Sequence, residues 1–306
     1  MYKVHCLNNI SEKGLALFTD DYQLTDNVDE ADVILVRSAN MKEMEFSANL
    51  KAVARAGAGV NNIPLDVLAE KGIPVFNTPG ANANAVKELV LCGMLLAARD
   101  VLGGVDWCRA NADDENIGKA AEKAKKAYAG NEITDHTLGI IGLGAIGAKV
   151  AKAAEALGMS LVGYDPFLDA EKAAAISPNL KFVTDLADLY AAADYITIHV
   201  PAVADTIGMI DAAAIAQMKD GVNFLNFARD TLVNDADMAA ALESGKVNRY
   251  VTDFANAAVV KMPRAIVLPH LGASTDEAEE NCAKMAVQEV MQYLETGEKV
   301  HCVNLK

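Results

Sequence analysis

The stretch Thr137-Leu138-Gly139-Ile140-Ile141-Gly142-Leu143-Gly144-Ala145-Ile146-Gly147-Ala148-Lys149-Val150 constrains the fold more than any other part of the chain. It predicts a buried strand, a tight glycine turn and the first turn of a helix. A second strand, Ser160–Tyr164, then ends on Asp165, 18 residues after Gly147. Each part suits a bound dinucleotide. Gly142 permits the turn, Gly144 lets backbone approach a pyrophosphate, and Gly147 lets the helix pack closely on the strand. The free N–H groups at the start of that helix point toward the phosphates, with the helix dipole behind them. An acid at 165 is placed to accept from ribose hydroxyls. The residues after it, Pro166-Phe167-Leu168-Asp169, offer no arginine for a 2′-phosphate, which favours NAD over NADP.

Strands and helices alternate along the whole chain, the pattern of an α/β protein with parallel sheets. Strands are expected at Tyr2–Leu7, Val33–Arg37, Ala52–Arg55 and Val75–Asn77. A long apolar helix is expected over Leu89–Trp107, then a polar loop over Asn111–Asn131. Further strands follow at Thr137–Ile141, Ser160–Tyr164, Tyr195–His199, Asn223–Asn226, Tyr250–Asp253 and Ile266–Leu268. Met285–Leu294 reads as a closing helix with Met285, Val287, Val290, Met291 and Leu294 on its apolar face. Two acid-led strands, Glu30-Ala31-Asp32-Val33-Ile34-Leu35-Val36-Arg37 and Ala193-Asp194-Tyr195-Ile196-Thr197-Ile198-His199, echo each other and fit two similarly wound domains.

At 306 residues the chain has room for two cored domains. Its formal charge of −15 argues against nucleic acid or an anionic membrane as partner, so an anionic ligand must be held by local arginines and backbone amides. The N-terminal segment reads as a strand, not a signal peptide, and no apolar run spans a bilayer, so a cytoplasmic protein is expected. Cys6, Cys92, Cys108, Cys282 and Cys302 show no metal or pairing pattern and are expected to be mostly buried thiols.

Three strand ends carry candidate chemistry, because ligands of open α/β sheets bind beyond the carboxyl ends of the strands. His270, after Ile266-Val267-Leu268-Pro269, has the side chain best suited to exchange a proton near neutrality, or it merely satisfies loop carbonyls. Arg229, after Asn223–Asn226, can clamp a carboxylate and polarise a carbonyl, or pair with Asp230 on the surface. Asp253 can hold an amide or cap the next turn. Ala54-Arg55-Ala56-Gly57-Ala58-Gly59-Val60-Asn61-Asn62-Ile63 runs from a strand into a small-residue turn whose N–H groups suit a carboxylate, Asn77-Thr78-Pro79-Gly80-Ala81-Asn82-Ala83-Asn84-Ala85-Val86-Lys87 is a turn followed by a helix start, and either is otherwise a structural turn.

Those runs, with Val36-Arg37-Ser38-Ala39, Gly163-Tyr164-Asp165-Pro166, Asn226-Phe227-Ala228-Arg229 and Pro269-His270-Leu271-Gly272-Ala273-Ser274-Thr275, span nearly the whole chain in order. Together they resemble the NAD-dependent D-isomer-specific 2-hydroxyacid dehydrogenase family, above all its phosphoglycerate-oxidising branch. The resemblance implies a Rossmann NAD-binding domain (83–274) inserted into a flavodoxin-like substrate domain (1–82 and 275–306), and a homodimer. It implies His270 as proton donor or acceptor and Arg229 as carboxylate and carbonyl ligand. Cofactor contacts are implied at Gly142, Gly144, Ala145, Ile146, Gly147, Asp165, Val200, Pro201, Thr206, Phe227, Ala228, Asp253, Gly272 and Ala273. Substrate contacts are implied at Arg37, Arg55, Gly57, Ala58, Gly59 and Asn82, the two arginines meeting a substrate phosphate.

One position departs from the family pattern. The family pairs its histidine with a glutamate five residues after the Asp253 position, and here that slot holds Ala258. Such a glutamate fixes the imidazole tautomer and stabilises its protonated form. Another acid such as Glu277 could substitute, turnover could be slow, or the chain could keep cofactor binding alone. The expected reaction is oxidation of 3-phospho-D-glycerate to 3-phosphohydroxypyruvate, the entry to serine. The alternatives are a glyoxylate, hydroxypyruvate or lactate reductase, or a silent NAD(H)-binding sensor. With the chain ending at Lys306, no C-terminal regulatory domain is expected.

Overall fold

The computed structural model describes residues 1–305. In chain order the elements are β1 (Tyr2–Cys6), α1 (Glu12–Leu15), β2 (Tyr22–Leu24), β3 (Val33–Val36), β4 (Ala52–Arg55), α2 (Leu65–Glu70), β5 (Val75–Phe76), α3 (Ala83–Ala98), α4 (Val101–Ala110), α5 (Ile117–Ala124), β6 (Thr137–Ile141), α6 (Ala145–Ala156), β7 (Ser160–Tyr164), α7 (Ala170–Ile176), β8 (Leu180–Val183), α8 (Leu186–Ala192), β9 (Tyr195–Ile198), α9 (Ala212–Gln217), β10 (Val222–Asn226), α10 (Asp235–Ser244), β11 (Val247–Thr252), β12 (Ala265–Val267) and α11 (Asp276–Thr296). The chain divides into two compact units, one of residues 1–85 with 273 onward, the other of residues 86–272.

The first unit is a five-stranded sheet in the order β2-β1-β3-β4-β5, with every pairing parallel. This is the flavodoxin-like winding. The second unit is a seven-stranded sheet in the order β12-β11-β10-β9-β6-β7-β8, again all parallel. Its strand order reverses between β6 and β9, the Rossmann switch point. Central strands β3, β9 and β10 are buried along their whole length, as expected where helices cover both faces of a parallel sheet.

The two acid-led strands play the same part in each unit. Asp32 accepts the Lys3 N–H at 2.8 Å and pairs with Lys51 Nζ at 2.9 Å. Asp194 accepts the Thr137 N–H at 2.9 Å and pairs with Lys219 Nζ at 2.8 Å. Each carboxylate thereby ties a central strand to both of its neighbours. Burial pushes both acids upward, but the backbone N–H and the lysine outweigh it, so both lie below the usual aspartate range.

The expectations are corrected at five points. The helix expected over Leu89–Trp107 is two helices, α3 and α4, because Asp100 caps the second by accepting the Gly103 N–H at 3.3 Å. The segment Asn111–Asn131 is not a plain loop; it contains α5, whose Ile117, Ala120, Ala121 and Ala124 recur at helical spacing. Strands β2 and β8 were not anticipated, being a three-residue edge strand with little burial and a strand carrying Lys181. Cys92 and Cys108 are exposed, since α4 buries no residue and Cys92 lies off the Val86, Val90, Met94 and Ala97 stripe of α3. The closing helix starts nine residues earlier than its apolar face suggested, at the Thr275 cap, which accepts the Ala278 N–H at 3.1 Å.

Candidate active site

The second unit gathers its expected site residues at the carboxyl ends of six consecutive strands: β12, β11, β10, β9, β6 and β7. After β6, Gly142 takes φ +91, a left-handed value that favours glycine, and any Cβ there would stand 2.8 Å from the His199 carbonyl oxygen. A Cβ on Gly147 would overlap the Gly142 carbonyl oxygen, so α6 can start only with glycine at that place. Gly144 differs: a Cβ there would meet nothing within 4 Å. It borders open space at the mouth of α6, whose first N–H groups, at Ala145, Ile146 and Gly147, have no acceptor within the helix. That combination of space and outward amides fits a pyrophosphate. Asp165, at the end of β7, accepts the Leu143 N–H at 2.9 Å and the Phe167 N–H at 2.9 Å, so it braces the glycine turn.

Between these, His199 follows β9. Its Nε2 lies 3.0 Å from Thr197 Oγ1, and its Nδ1 is buried without a hydrogen-bond partner. Desolvation drives its pKa down to about 3, so the ring is neutral. Thr206 folds the loop that follows: its hydroxyl donates to the Pro201 carbonyl at 2.6 Å and accepts the Val203 N–H at 2.9 Å.

The tips of β10, β11 and β12 carry Arg229, Asp253 and His270. Asn226, fully buried, accepts the Ala228 N–H at 3.1 Å and donates to the Arg229 carbonyl at 2.8 Å, which turns the chain and exposes Arg229. The Arg229 guanidinium donates to the Ala228 carbonyl at 2.6 Å; it does not pair with Asp230. Phe227 packs in the core against Gly93, so only its backbone is available to a ligand. Asp253 is 1 % exposed, and its two oxygens accept the Leu271 N–H at 2.7 Å and the Gly272 N–H at 2.6 Å. It therefore anchors the His270 loop. His270 is exposed, takes the left-handed φ of +58, and meets the Phe254 ring edge-on at 5.2 Å. Strain of this kind gathers at functional positions. Ala258 lies on an exposed turn whose N–H groups, at Ala258 and Val259, are both capped by Asn256 Oδ1 at 2.9 Å.

In the first unit, Arg37 and Arg55 stand at the ends of β3 and β4. Arg37 Nη2 pairs with Glu279 Oε1 at 2.7 Å, and Arg55 Nε donates to the Arg37 carbonyl at 3.1 Å. The Gly57 N–H is taken by the Arg55 carbonyl at 2.8 Å, which leaves the cradle of the turn to Ala58 and Gly59. Asn77 Nδ2 braces that turn through the Ala58 carbonyl at 2.6 Å. Asn82 is half-buried, and Ala273 belongs to this unit, apart from the other expected cofactor residues. Asn8 was not anticipated. Its Oδ1 accepts the N–H groups of Arg37, Ser38 and Ala39, each at 3.0 Å, and so shapes the β3 tip. An asparagine just after the first strand was the available signal.

The family model for the D-isomer specific 2-hydroxyacid dehydrogenase NAD binding domain matches residues 92–272, more than half of the chain. The chain belongs to this family. Its NAD-binding domain is the second unit, and its cofactor is NAD. Among curated proteins, the chain is 33% identical over 311 residues to D-3-phosphoglycerate dehydrogenase of Methanocaldococcus jannaschii, covering 99% of this chain and 57% of that protein. It is 36% identical over 272 residues to the Mycobacterium bovis protein of the same name, covering 86% of this chain and 49% of that one. The chain thus spans about half the length of these relatives. Among solved structures, NAD+-bound 3-phosphoglycerate dehydrogenase from Entamoeba histolytica has the same fold, with a TM-score of 0.79 at 24% identity over 99% of this chain and 98% of that one. A glyoxylate reductase from Paecilomyes thermophila does too, with a TM-score of 0.80 at 24% identity and the same two coverages. No helix among the described residues is long and apolar enough to cross a membrane.

Proposed function

We propose that this protein oxidises a D-2-hydroxy acid with NAD, and that the acid is 3-phospho-D-glycerate, yielding 3-phosphohydroxypyruvate for serine synthesis. The observation that carries the reading is the delivery of Arg229 and His270 by β10 and β12 to the same sheet edge as the glycine turn. The names of the curated relatives support the substrate. NAD supplies the acceptor for the C2 hydride. His270 takes the hydroxyl proton as the C2–O bond becomes a carbonyl. Arg229 binds the carboxylate and polarises the forming carbonyl. Asp253 holds the loop that presents His270, while Ala58 and Gly59 cradle the carboxylate and Arg37 and Arg55 meet the phosphate. The glycine turn, the start of α6 and Asp165 hold the cofactor, joined by the backbone of the 200–206 loop.

The Arg37–Glu279 pair favours a second reading within the family, a reductase of glyoxylate, hydroxypyruvate or lactate, because it leaves less positive charge for a phosphate. Ala258 favours a third, an NAD(H)-binding protein without turnover. Initial rates of NADH formation with 3-phospho-D-glycerate and D-lactate, and of NADH consumption with glyoxylate and hydroxypyruvate, separate them. NADH binding with no turnover on any of these acids refutes the enzymatic reading. A cytoplasmic homodimer completes the proposal. Leu95, Val101, Leu102 and Val105, all at least 40% exposed on α3 and α4, support a self-association face. Leu102→Glu is expected to shift sedimentation toward the monomer.

A further inference from the structure

The first unit brings its two guanidinium groups to neighbouring strand tips, β3 and β4, and turns one of them toward α11. Arg37 Nη2 lies 2.7 Å from Glu279 Oε1, with each side chain about two-fifths exposed. Arg55 is held by the Arg37 carbonyl and lies over the Gly57 backbone, where a Cβ would overlap its guanidinium. Cys282, one turn further along α11, is buried against the same group: its thiol is raised by burial, while Thr78, Arg55 and Arg37 pull it the other way. The first turn of α11 carries Asp276, Glu277 and Glu279. A 21-residue helix start that would otherwise attract an anion therefore presents carboxylates, and Glu279 is the one that reaches Arg37.

We propose that Glu279 is a specificity-determining residue that sets how much negative charge the substrate tail can carry, by holding Arg37 in an ion pair that a phosphate must break. This rests on the reading that Arg37 and Arg55 meet the substrate tail. A half-exposed ion pair is weak enough to be surrendered. A phosphate that captures Arg37 leaves the Glu279 carboxylate beside a group of charge near −2, whereas a hydroxymethyl or methyl tail disturbs nothing. Glu279 thus lowers the preference for phosphorylated acids and keeps short uncharged tails acceptable.

The test compares kcat/KM for 3-phospho-D-glycerate and D-glycerate in the wild type, Glu279→Gln, Glu280→Gln and Arg37→Ala. Glu280 is the control: it lies in the same helix turn, loses the same charge, and pairs with Lys13 and Lys284 instead of Arg37. Glu279→Gln is expected to raise the phosphorylated-to-unphosphorylated ratio about three- to tenfold, chiefly through KM, and the gain should shrink at about 0.5 M salt. Glu280→Gln should shift the ratio less than about twofold. Equal shifts in the two glutamine variants, or none in Glu279→Gln, overturn the assignment. Parallel changes for both substrates in Glu279→Gln, with no change in the ratio, would make the pair merely structural and overturn it too. If Arg37→Ala collapses the ratio while Glu279→Gln leaves it, the tail reading stands and the role of Glu279 falls. If neither variant moves it, the tail reading itself fails.

Discussion

Asp253 offers the sharpest test of how this sheet edge works. Its carboxylate is 1 % exposed and both oxygens are used, by the Leu271 N–H at 2.7 Å and the Gly272 N–H at 2.6 Å. Hydrogen bonds to a charged group contribute about 1.5–3 kcal/mol each, and a buried donor left unmade adds its desolvation penalty. Asp253→Ala removes both and is expected to destabilise the protein by about 3–5 kcal/mol. Asp253→Asn keeps one acceptor but turns an NH₂ toward the second N–H, for about 2–3 kcal/mol. The chain just before these two amides is His270, at φ +58, whose own N–H is held by the Asp253 carbonyl at 3.0 Å. Freed of the carboxylate, the loop relaxes toward commoner backbone angles. A displacement of about 1 Å at the imidazole lowers kcat by about 10²-fold. Urea unfolding, NADH titration by fluorescence and steady-state turnover on the Asn variant measure the three quantities separately. If stability stays within about 0.5 kcal/mol of wild type while NADH affinity drops tenfold, Asp253 is a cofactor contact and the anchoring argument is wrong.

The glycine turn makes a paired prediction. Gly144→Ala fits open space and should leave stability within about 0.5 kcal/mol while weakening NADH binding at least about tenfold, whereas Gly147→Ala should cost about 2–3 kcal/mol as its Cβ strikes the Gly142 carbonyl. His199 sets an acid limit. The unfolded chain protonates it below 6.5, while the folded ring stays neutral down to about 3. Stability therefore falls with falling pH through that window, by at most about 1.4 kcal/mol per unit, and unfolding curves of His199→Gln should be flatter there. Ala258→Glu restores the carboxylate that the family places beside its histidine; turnover near neutral pH should rise at least about tenfold. An unchanged rate would show that His270 is oriented by other groups, beginning with the Phe254 ring edge.

Much of the architecture was legible because it follows from local rules. Thr137–Ile141 and Ser160–Tyr164 are continuous apolar runs that only a doubly covered parallel strand buries, and they form over the expected residues. Weakly patterned elements were not legible. Edge strand β2 is three residues long and pairs on one side alone, with β1, and α5 hides in a lysine-bearing stretch whose short alanines supply the apolar stripe. The α3–α4 break turned on one side chain, Asp100, whose capping bond competes with helix continuation.

The candidate site divides along the same line. Glycine at 142 and at 147 is imposed by sterics within one turn, so spacing alone announces it. The strand tips bearing Arg229 and His270 were likewise readable from short motifs. The long-range contacts that shape the neighbouring strand tips were not, because they come from distant parts of the chain. Asp253 reaches Gly272 across 19 residues, Asn8 gathers three amides about 30 residues away, and Glu279 meets Arg37 from the far end of the chain. Periodicity and turn chemistry act between near neighbours and therefore leave a trace in the order of residues. Long-range pairing of charges and amides leaves none, since it depends on which strand tips and helix ends the sheet windings bring together.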